Sequence, residues 1–229
     1  IAAELHALGI DVNCAHLGDV ATPATHPFLR NRCYGSAPGA VAVHARAVAE
    51  ALLAGGVLPV LKHLPGHGRA TADSHAALPR VTAPAADLRL TDFAPFAALS
   101  DLPIGMTAHV VYEALDSRPA TLSPVMIRLI REELGFDGLL MTDDISMGAL
   151  SGDPAARATA AVAAGCDVVL HCNGDPAEME AVVAAAGHLS AAAHRRAAAA
   201  LGVRRVPDAV DIAALAAKHD ACLSGACDG

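Results

Sequence analysis

The sequence predicts an α/β fold in the form of a (β/α)8 TIM barrel, and three observations support it. Short apolar runs recur, each followed by a polar cluster, as in buried parallel strands that open into loops. Helical patterns lie between the runs, as in βα units. No G-x-G-x-x-G follows the first run, which disfavours an open dinucleotide-binding sheet, whereas chemistry at several strand ends is typical of a barrel. The predicted strands cover residues 10–15, 57–61, 104–108, 138–141 and 167–170.

The predicted helices begin and end at capping residues. The chain opens with the last turns of an amphipathic helix, which Gly9 ends. The next helix is rich in Ala and Val and stops at Gly55, and a later one opens with Ser123 followed by Pro. After the opening turns, the predicted helices cover residues 38–54, 90–99, 123–134, 154–164 and 176–186.

The spacing of these units predicts that a full barrel is longer than this chain. Successive strands start roughly 39 residues apart, so an eight-unit barrel of about 250 residues or more would need about three further βα units. The chain starts without Met in what reads as the interior of a domain, so we expect these units to precede Ile1. We assign residues 1–202 to a partial TIM-barrel catalytic domain and residues 203–229 to a C-terminal tail and helix of the same domain.

Composition and charge exclude several classes of partner. The chain is 54% hydrophobic and only 17% charged, so it is too apolar for disorder. A net charge of -8 disfavours nucleic acid and anionic membrane surfaces, since both need clustered Lys and Arg. The Ala-rich segment 181–200 contains Arg195 and Arg196, and these charges predict a surface helix and not a membrane-spanning one. Residues 1–10 lack the pattern of a signal peptide. A small-molecule ligand fits best.

Two polar segments carry the candidate chemistry. KHLPGHGRATADSH, residues 62–75, directly follows an apolar run and contains three histidines and an aspartate. MTDDISMGAL, residues 141–150, places Asp143 and Asp144 at the end of another predicted strand. Because the carboxyl ends of parallel strands meet at one face of a barrel, these segments are expected to form an active site.

Both segments resemble the signatures of glycoside hydrolase family 3, in its β-N-acetylglucosaminidase branch. KHLPGHGRATADSH is similar to the lysine-histidine, Pro-Gly-His-Gly and Asp-Ser-His signature of that branch. MTDDISMGAL is similar to the second signature of the same branch. Similarity in the family's order continues through most of residues 9–173, in the segments GIDVNCAHLGDV, NRCYG, MTAHV, LDSRPATLS, REELGFDGLL and AGCDVVLHC.

The resemblance implies a retaining glycosidase, which needs a nucleophilic carboxylate and a second group that protonates the leaving oxygen. It implies that Asp143 is the nucleophile. Spacing alone leaves Asp144 as an alternative nucleophile, but for Asp144 we favour a role as a hydrogen-bonding loop residue or a helix N-cap. It implies His75 paired with Asp73 as the acid/base. The residues implied to bind the sugar are Lys62, His63 and Arg32.

The implied enzyme is a cytoplasmic, monomeric β-N-acetylhexosaminidase of peptidoglycan recycling that removes terminal N-acetylglucosamine from muropeptide fragments without metal or cofactor. Pro65, Gly66 and Gly68 are expected to let the loop that carries the acid/base hinge over the sugar. The family's Asp-Gln-Glu-Gly-Gly-like strand end does not occur in this sequence. We therefore expect this chain alone to be unstable or inactive.

Other positions have structural interpretations or depart from the family. For His67, a role in shaping the loop and a role in the site are equally expected. His109 is expected to be a near-core histidine whose hydrogen bonds are satisfied, and Asp19 is expected to have a structural role in its loop. His16 stands where the family commonly has Pro, and Arg69 where it usually has Asp.

Three alternatives remain open at this point. The first is a glycoside phosphorylase that uses the same pair, because a histidine repels phosphate less than a carboxylate would. The second is a noncatalytic sugar-binding fragment. The third is a metal-dependent hydrolase. It is disfavoured because these segments lack the HxH or HExxH spacing that would hold a metal ion. Its six cysteines, without a CxxC pair, are expected to be free thiols.

Overall fold

The computed structural model describes residues 1–207 and 209–225 and confirms the α/β class. The strands within the described residues are β1 (Val12–Asn13), β2 (Leu58–Leu64), β3 (Arg80–Val81), β4 (Ile104–Thr107), β5 (Val111–Tyr112), β6 (Leu139–Asp144) and β7 (Val168–Leu170). The main sheet is parallel, with the strand order β1-β2-β4-β6-β7, and a second parallel pair, β3 with β5, was not predicted.

Helices cover the connections between the strands. Three of them coincide with the predicted bounds because a Pro in the first turn and a Gly at the end define them. The helices are α1 (Ala2–Ala7), α2 (Pro27–Arg30), α3 (Pro38–Ala54), α4 (Ala85–Leu90), α5 (Ala94–Ala98), α6 (Pro124–Arg128, continued by a π-helical turn Leu129–Glu133), α7 (Pro154–Ala164), α8 (Pro176–Ala186), α9 (Ala191–Gly202) and α10 (Ile212–Leu223).

Two helix predictions are wrong in detail. The helix expected over residues 90–99 is divided between α4 and α5, because Thr91 ends α4 and Asp92 turns to bind Arg69. The single surface helix expected over residues 181–200 is interrupted after α8 by Gly187, with φ of +67°, before Ser190 caps α9. None of the helices within the described residues combines the length and apolar character that a membrane crossing needs.

The two faces of the main sheet pack against different groups of side chains. Side chains alternate along a strand, so Leu61 and Leu140 join the core under the helices, whereas Val60 and Met106 lie on the other face together with Ala200 of α9. Because all strands run in one direction, their carboxyl ends lie along one edge, and this edge carries the predicted site.

Some predictions from the sequence concern features that the described residues do not test. Within that part of the chain, β1 pairs only with β2 and β7 only with β6, so the sheet is open at both edges. The three further βα units and the domain boundary between residues 202 and 203 stay predictions. Free thiols occur at Cys14, Cys33, Cys166 and Cys172, but Cys222 is disulfide-bonded, contrary to expectation.

Candidate active site

Asp143 lies near the carboxyl end of β6 as a mostly buried carboxylate that solvent still reaches. Its side chain is 15% exposed, its Oδ1 accepts the Asp144 N–H at 2.9 Å, and its Oδ2 lies 4.0 Å from His63 Nε2. Burial alone would raise the pKa of Asp143, but the neighbouring His63 and His109 and the Asp144 N–H together hold it below the usual carboxyl value. Asp143 is therefore an ionised carboxylate at neutral pH.

Asp144 has the loop role that was favoured for it. Its Oδ1 accepts the N–H groups of Ser146 at 2.9 Å and Cys172 at 3.1 Å, and its Oδ2 accepts the Ser146 hydroxyl at 2.6 Å. With both oxygens engaged by the loops after β6 and β7, Asp144 is less available than Asp143 for attack on a ligand.

Asp19 positions His63, which the sequence did not reveal. The Asp19 side chain is fully buried and accepts His63 Nδ1–H at 2.8 Å and the His67 N–H at 2.6 Å. A carboxylate only accepts hydrogen bonds, so Nδ1 carries the proton and Nε2 faces Asp143. Burial alone would raise the pKa of Asp19, but the contacts with His63 and His67 lower it. The three side chains form a line from Asp19 through His63 to Asp143.

Removing the Asp19 carboxylate should destabilise the fold strongly. Asp19→Ala leaves a buried imidazole unpaired, so we expect the free energy of unfolding to fall by about 3–5 kcal/mol. Asp101→Ala is the matched control, since Asp101 pairs with Arg46 at the surface and its loss should cost about 1 kcal/mol or less. Denaturant titration measures both, and equal losses would contradict a structural role for the Asp19–His63 pair.

Lys62 and Arg32 bring positive charge to the same edge of the sheet. Burial is the main cause that lowers the pKa of Lys62, the charge on Arg32 acts in the same direction, and Asp143 opposes it. The Arg32 guanidinium lies 4.3 Å above the Phe28 ring, and its buried Nε has no hydrogen-bond partner among the described residues. The Arg32 guanidinium thus makes no side-chain hydrogen bond within the described residues.

Asp73 and His75 form the predicted pair in the loop between β2 and β3. Asp73 Oδ1 accepts both the His75 N–H at 2.9 Å and His75 Nδ1–H at 2.7 Å, and these two bonds lower the pKa of Asp73. Phe28 contacts the imidazole edge-on, with ring centroids 4.9 Å apart. The His75 side chain is 56% exposed, so it can meet a ligand from solvent. The structure has no direct contact between His75 and Asp143.

The glycines of this loop serve close packing, which corrects the expectation that they act as hinges. A Cβ on Gly68 would lie 1.8 Å from the Val20 carbonyl oxygen, and one on Gly66 would lie 2.6 Å from that of Asp92. Both residues are buried, and Tyr112 donates its hydroxyl to the Gly66 carbonyl at 2.6 Å. This end of the loop is therefore fixed against its neighbours.

The remaining candidate histidines and Arg69 have structural contacts. His109 lies between Thr121 Oγ1 at 2.7 Å and the Asp144 carbonyl at 2.9 Å, as expected for a satisfied near-core histidine. His67 packs edge-on against His63, and burial lowers its pKa to about 4. Arg69 pairs with Asp92 at 2.6 Å, away from the Asp73 pair.

His16 should make the fold sensitive to mild acid. It is buried, neither ring nitrogen has a hydrogen-bond partner within the described residues, and burial followed by the charge of Lys62 lowers its pKa to about 4. Unfolded histidine has a pKa of about 6.5, so between these values the unfolded chain binds a proton that the folded chain does not. Stability should fall as the pH falls through this window. His16→Gln should reduce the slope of the unfolding free energy against pH by up to about 1.4 kcal/mol per pH unit, as measured by denaturant titrations at several pH values. An unchanged slope would contradict this.

The described residues at this edge of the sheet form no metal-binding cluster, and two cavities of the fold lie away from it. Within residues 1–207 and 209–225, no group of three His, Cys, Asp or Glu side chains could hold a metal ion. Two cavities of about 460 and 560 Å³ lie elsewhere, one beside α8 and the other beside Arg46 and Arg205.

Comparisons with known proteins agree with the motifs. Residues 1–206 match the glycosyl hydrolase family 3 N terminal domain. A β-hexosaminidase from Bordetella avium is 40% identical over 178 residues, which are 76% of this chain and 51% of that protein. One from Chromobacterium violaceum is 40% identical over 190 residues, 81% of this chain and 53% of that protein. The chain thus spans about half the length of these curated relatives.

Solved structures extend the similarity to the fold. A glycoside hydrolase family 3 β-N-acetylglucosaminidase from Paenibacillus sp. superposes with a TM-score of 0.83 at 32% identity, over 92% of this chain and 44% of that chain. Native NagZ from Neisseria gonorrhoeae superposes with a TM-score of 0.78 at 31% identity, over 95% of this chain and 62% of that chain.

Proposed function

Because the chain belongs to glycoside hydrolase family 3, we propose that it carries the catalytic residues of a retaining β-N-acetylhexosaminidase. The proposed substrate is a terminal β-linked N-acetylglucosamine on a peptidoglycan-derived fragment, taken up by a monomer in the cytoplasm. The observation that carries the proposal is the ionised Asp143 at a strand end, in line with His63 and Asp19 and on the same edge of the sheet as the loop that carries the Asp73–His75 pair.

In the first proposed step, Asp143 acts as the nucleophile. Its free carboxylate oxygen bonds to the anomeric carbon while the bond from that carbon to the leaving oxygen breaks. The leaving oxygen takes a proton from His75, which the Asp73 carboxylate holds through Nδ1. Histidine can exchange a proton near neutral pH, and an adjacent carboxylate stabilises its cationic form. The product of this step is a glycosyl ester on Asp143.

The second proposed step regenerates the enzyme. His75 takes a proton from water, the water oxygen bonds to the anomeric carbon, and the ester bond to Asp143 breaks. Two displacements return the β configuration. Lys62, His63 and Arg32 are proposed to form hydrogen bonds with the sugar hydroxyls. The positions of Lys62 and His63 in β2 and the positive charges of Lys62 and Arg32 support this role.

The test is turnover of p-nitrophenyl β-N-acetylglucosaminide by the protein that carries this chain. We expect release of N-acetylglucosamine whose first-formed anomer is β by NMR. A sugar 1-phosphate formed on addition of phosphate would instead identify a phosphorylase. Binding of N-acetylglucosamine without turnover of any β-N-acetylglucosaminide would identify a noncatalytic sugar-binding protein and refute the proposal.

A further inference from the structure

The loop between β2 and β3, residues 65–79, which we call the dyad loop, is held at its tip by the segment that follows Asp143. The carbonyl oxygen of Ser74 accepts the Ala149 N–H at 3.1 Å, and that of His75 accepts the Gly148 N–H at 3.1 Å. Ser74 is only 3% exposed, unlike its neighbours in the pair, and its Oγ lies 3.4 Å from His67 Nε2. The tip therefore lies between His67 on one side and residues 148–149 on the other.

The segment that holds the tip is itself fixed to the strand that carries Asp143. The Asp144 carboxylate binds the Ser146 N–H and hydroxyl, and the Asp144 carbonyl accepts the Met147 N–H at 3.2 Å and His109 Nε2–H at 2.9 Å. These hydrogen bonds fix Ser146 and Met147 to the end of β6, and Gly148 follows Met147 directly in the chain. The position of the dyad loop is therefore coupled to that of the carboxylate.

Gly148 has no side chain because the dyad loop occupies the space. Its φ lies outside the left-handed region, so its backbone conformation does not require glycine. An ideal Cβ at this position would lie 2.8 Å from the His75 carbonyl oxygen and 3.4 Å from that of Ala76. Any side chain must push the loop away or break the Gly148–His75 hydrogen bond.

We propose that the backbone N–H groups of Gly148 and Ala149 form a latch that positions the Asp73–His75 pair relative to Asp143, with Gly148 as a positioning residue. The proposal rests on the proposed function for its catalytic consequence. A general acid must lie within hydrogen-bond reach of the leaving oxygen, and a displacement of about 1 Å can reduce the rate about 100-fold. The latch sets that distance through the backbone.

The test compares Gly148→Ala with Gly174→Ala as the matched control, because a Cβ on Gly174 meets nothing within 4 Å and its φ is also outside the left-handed region. Gly148→Ala should lower kcat/KM about 100-fold for methyl β-N-acetylglucosaminide, whose leaving oxygen needs a proton. The loss should be much smaller for the p-nitrophenyl substrate, and azide should raise turnover of the latter by accepting the sugar without base assistance. Gly174→Ala should behave as the parent protein does.

Hydrogen exchange measures the latch without relying on catalysis. In Gly148→Ala, amides 148 and 149 and those of the dyad loop should exchange faster than in the parent and in Gly174→Ala. Ser74→Ala, which removes only the contact with His67, should shift exchange in the same direction by less. Unchanged exchange in Gly148→Ala, or equal activity losses on both substrates without an azide response, would overturn the proposal. A parent protein without turnover would refute the proposed function instead, and the exchange result would still decide the latch.

Discussion

Asp143→Ala is expected to lower kcat for p-nitrophenyl β-N-acetylglucosaminide by about 10⁴-fold or more, because no glycosyl ester can form without the nucleophile. The fold should persist, since Asp143 makes only one short hydrogen bond within the described residues, with the Asp144 N–H. Steady-state kinetics on purified protein measures the loss, and thermal unfolding checks the fold.

Asp144→Asn is the control that separates the two neighbouring carboxylates. Asp144 accepts three hydrogen bonds from Ser146 and Cys172, so its replacement should lower stability more than Asp143→Ala does. Its effect on kcat should be the smaller of the two. A fully active Asp143→Ala variant beside an inactive but folded Asp144→Asn variant would reverse the assignment of the nucleophile.

His75→Ala is expected to lower kcat/KM by about 10²–10⁴-fold on methyl β-N-acetylglucosaminide, the range that general acid–base catalysis contributes. The p-nitrophenyl substrate should be affected less in its first step, because its leaving oxygen departs without a proton. Its second step should then limit turnover, and azide should restore the rate and yield a β-glycosyl azide.

Asp73→Asn distinguishes the charge of the pair from its geometry. The amide oxygen can still accept the His75 N–H, but the negative charge that stabilises a cationic imidazole is lost. We expect an intermediate loss of kcat/KM that is largest on the alkaline side of the optimum, because the imidazole without its negative neighbour holds less firmly the proton that the leaving oxygen needs. A His75→Ala variant with the parent's rate on both substrates would show that another group donates the proton.

Local sequence patterns were sufficient for the strands of the main sheet and for contacts within single motifs. The apolar runs located the main sheet because a buried parallel strand needs an apolar segment of about this length. The Asp73–His75 contact also follows locally, since two residues in a turned loop can meet wherever the chain folds. Asp143 was identified as a candidate because it ends such a run.

Contacts between distant segments were beyond the sequence because they depend on strand register and loop packing. Asp19 was expected to have only a loop role, yet it binds His63, which lies 44 residues away in the sequence. The two come together because Leu17, after β1, pairs with Lys62 in β2. Gly66 and Gly68 suggested a hinge, but their absent side chains make room for Asp92 and Val20. A glycine that permits motion and a glycine that permits close approach look the same in one sequence.

The central claim is that Asp143 forms a covalent bond with the sugar, and mass spectrometry of a trapped intermediate tests it most directly. A 5-fluoro glycosyl fluoride of N-acetylglucosamine should form the ester and then hydrolyse slowly, so that the adduct accumulates. We predict that peptide fragmentation places the added mass on Asp143. An adduct on Asp144, or turnover of the reagent without any covalent adduct, would contradict the account.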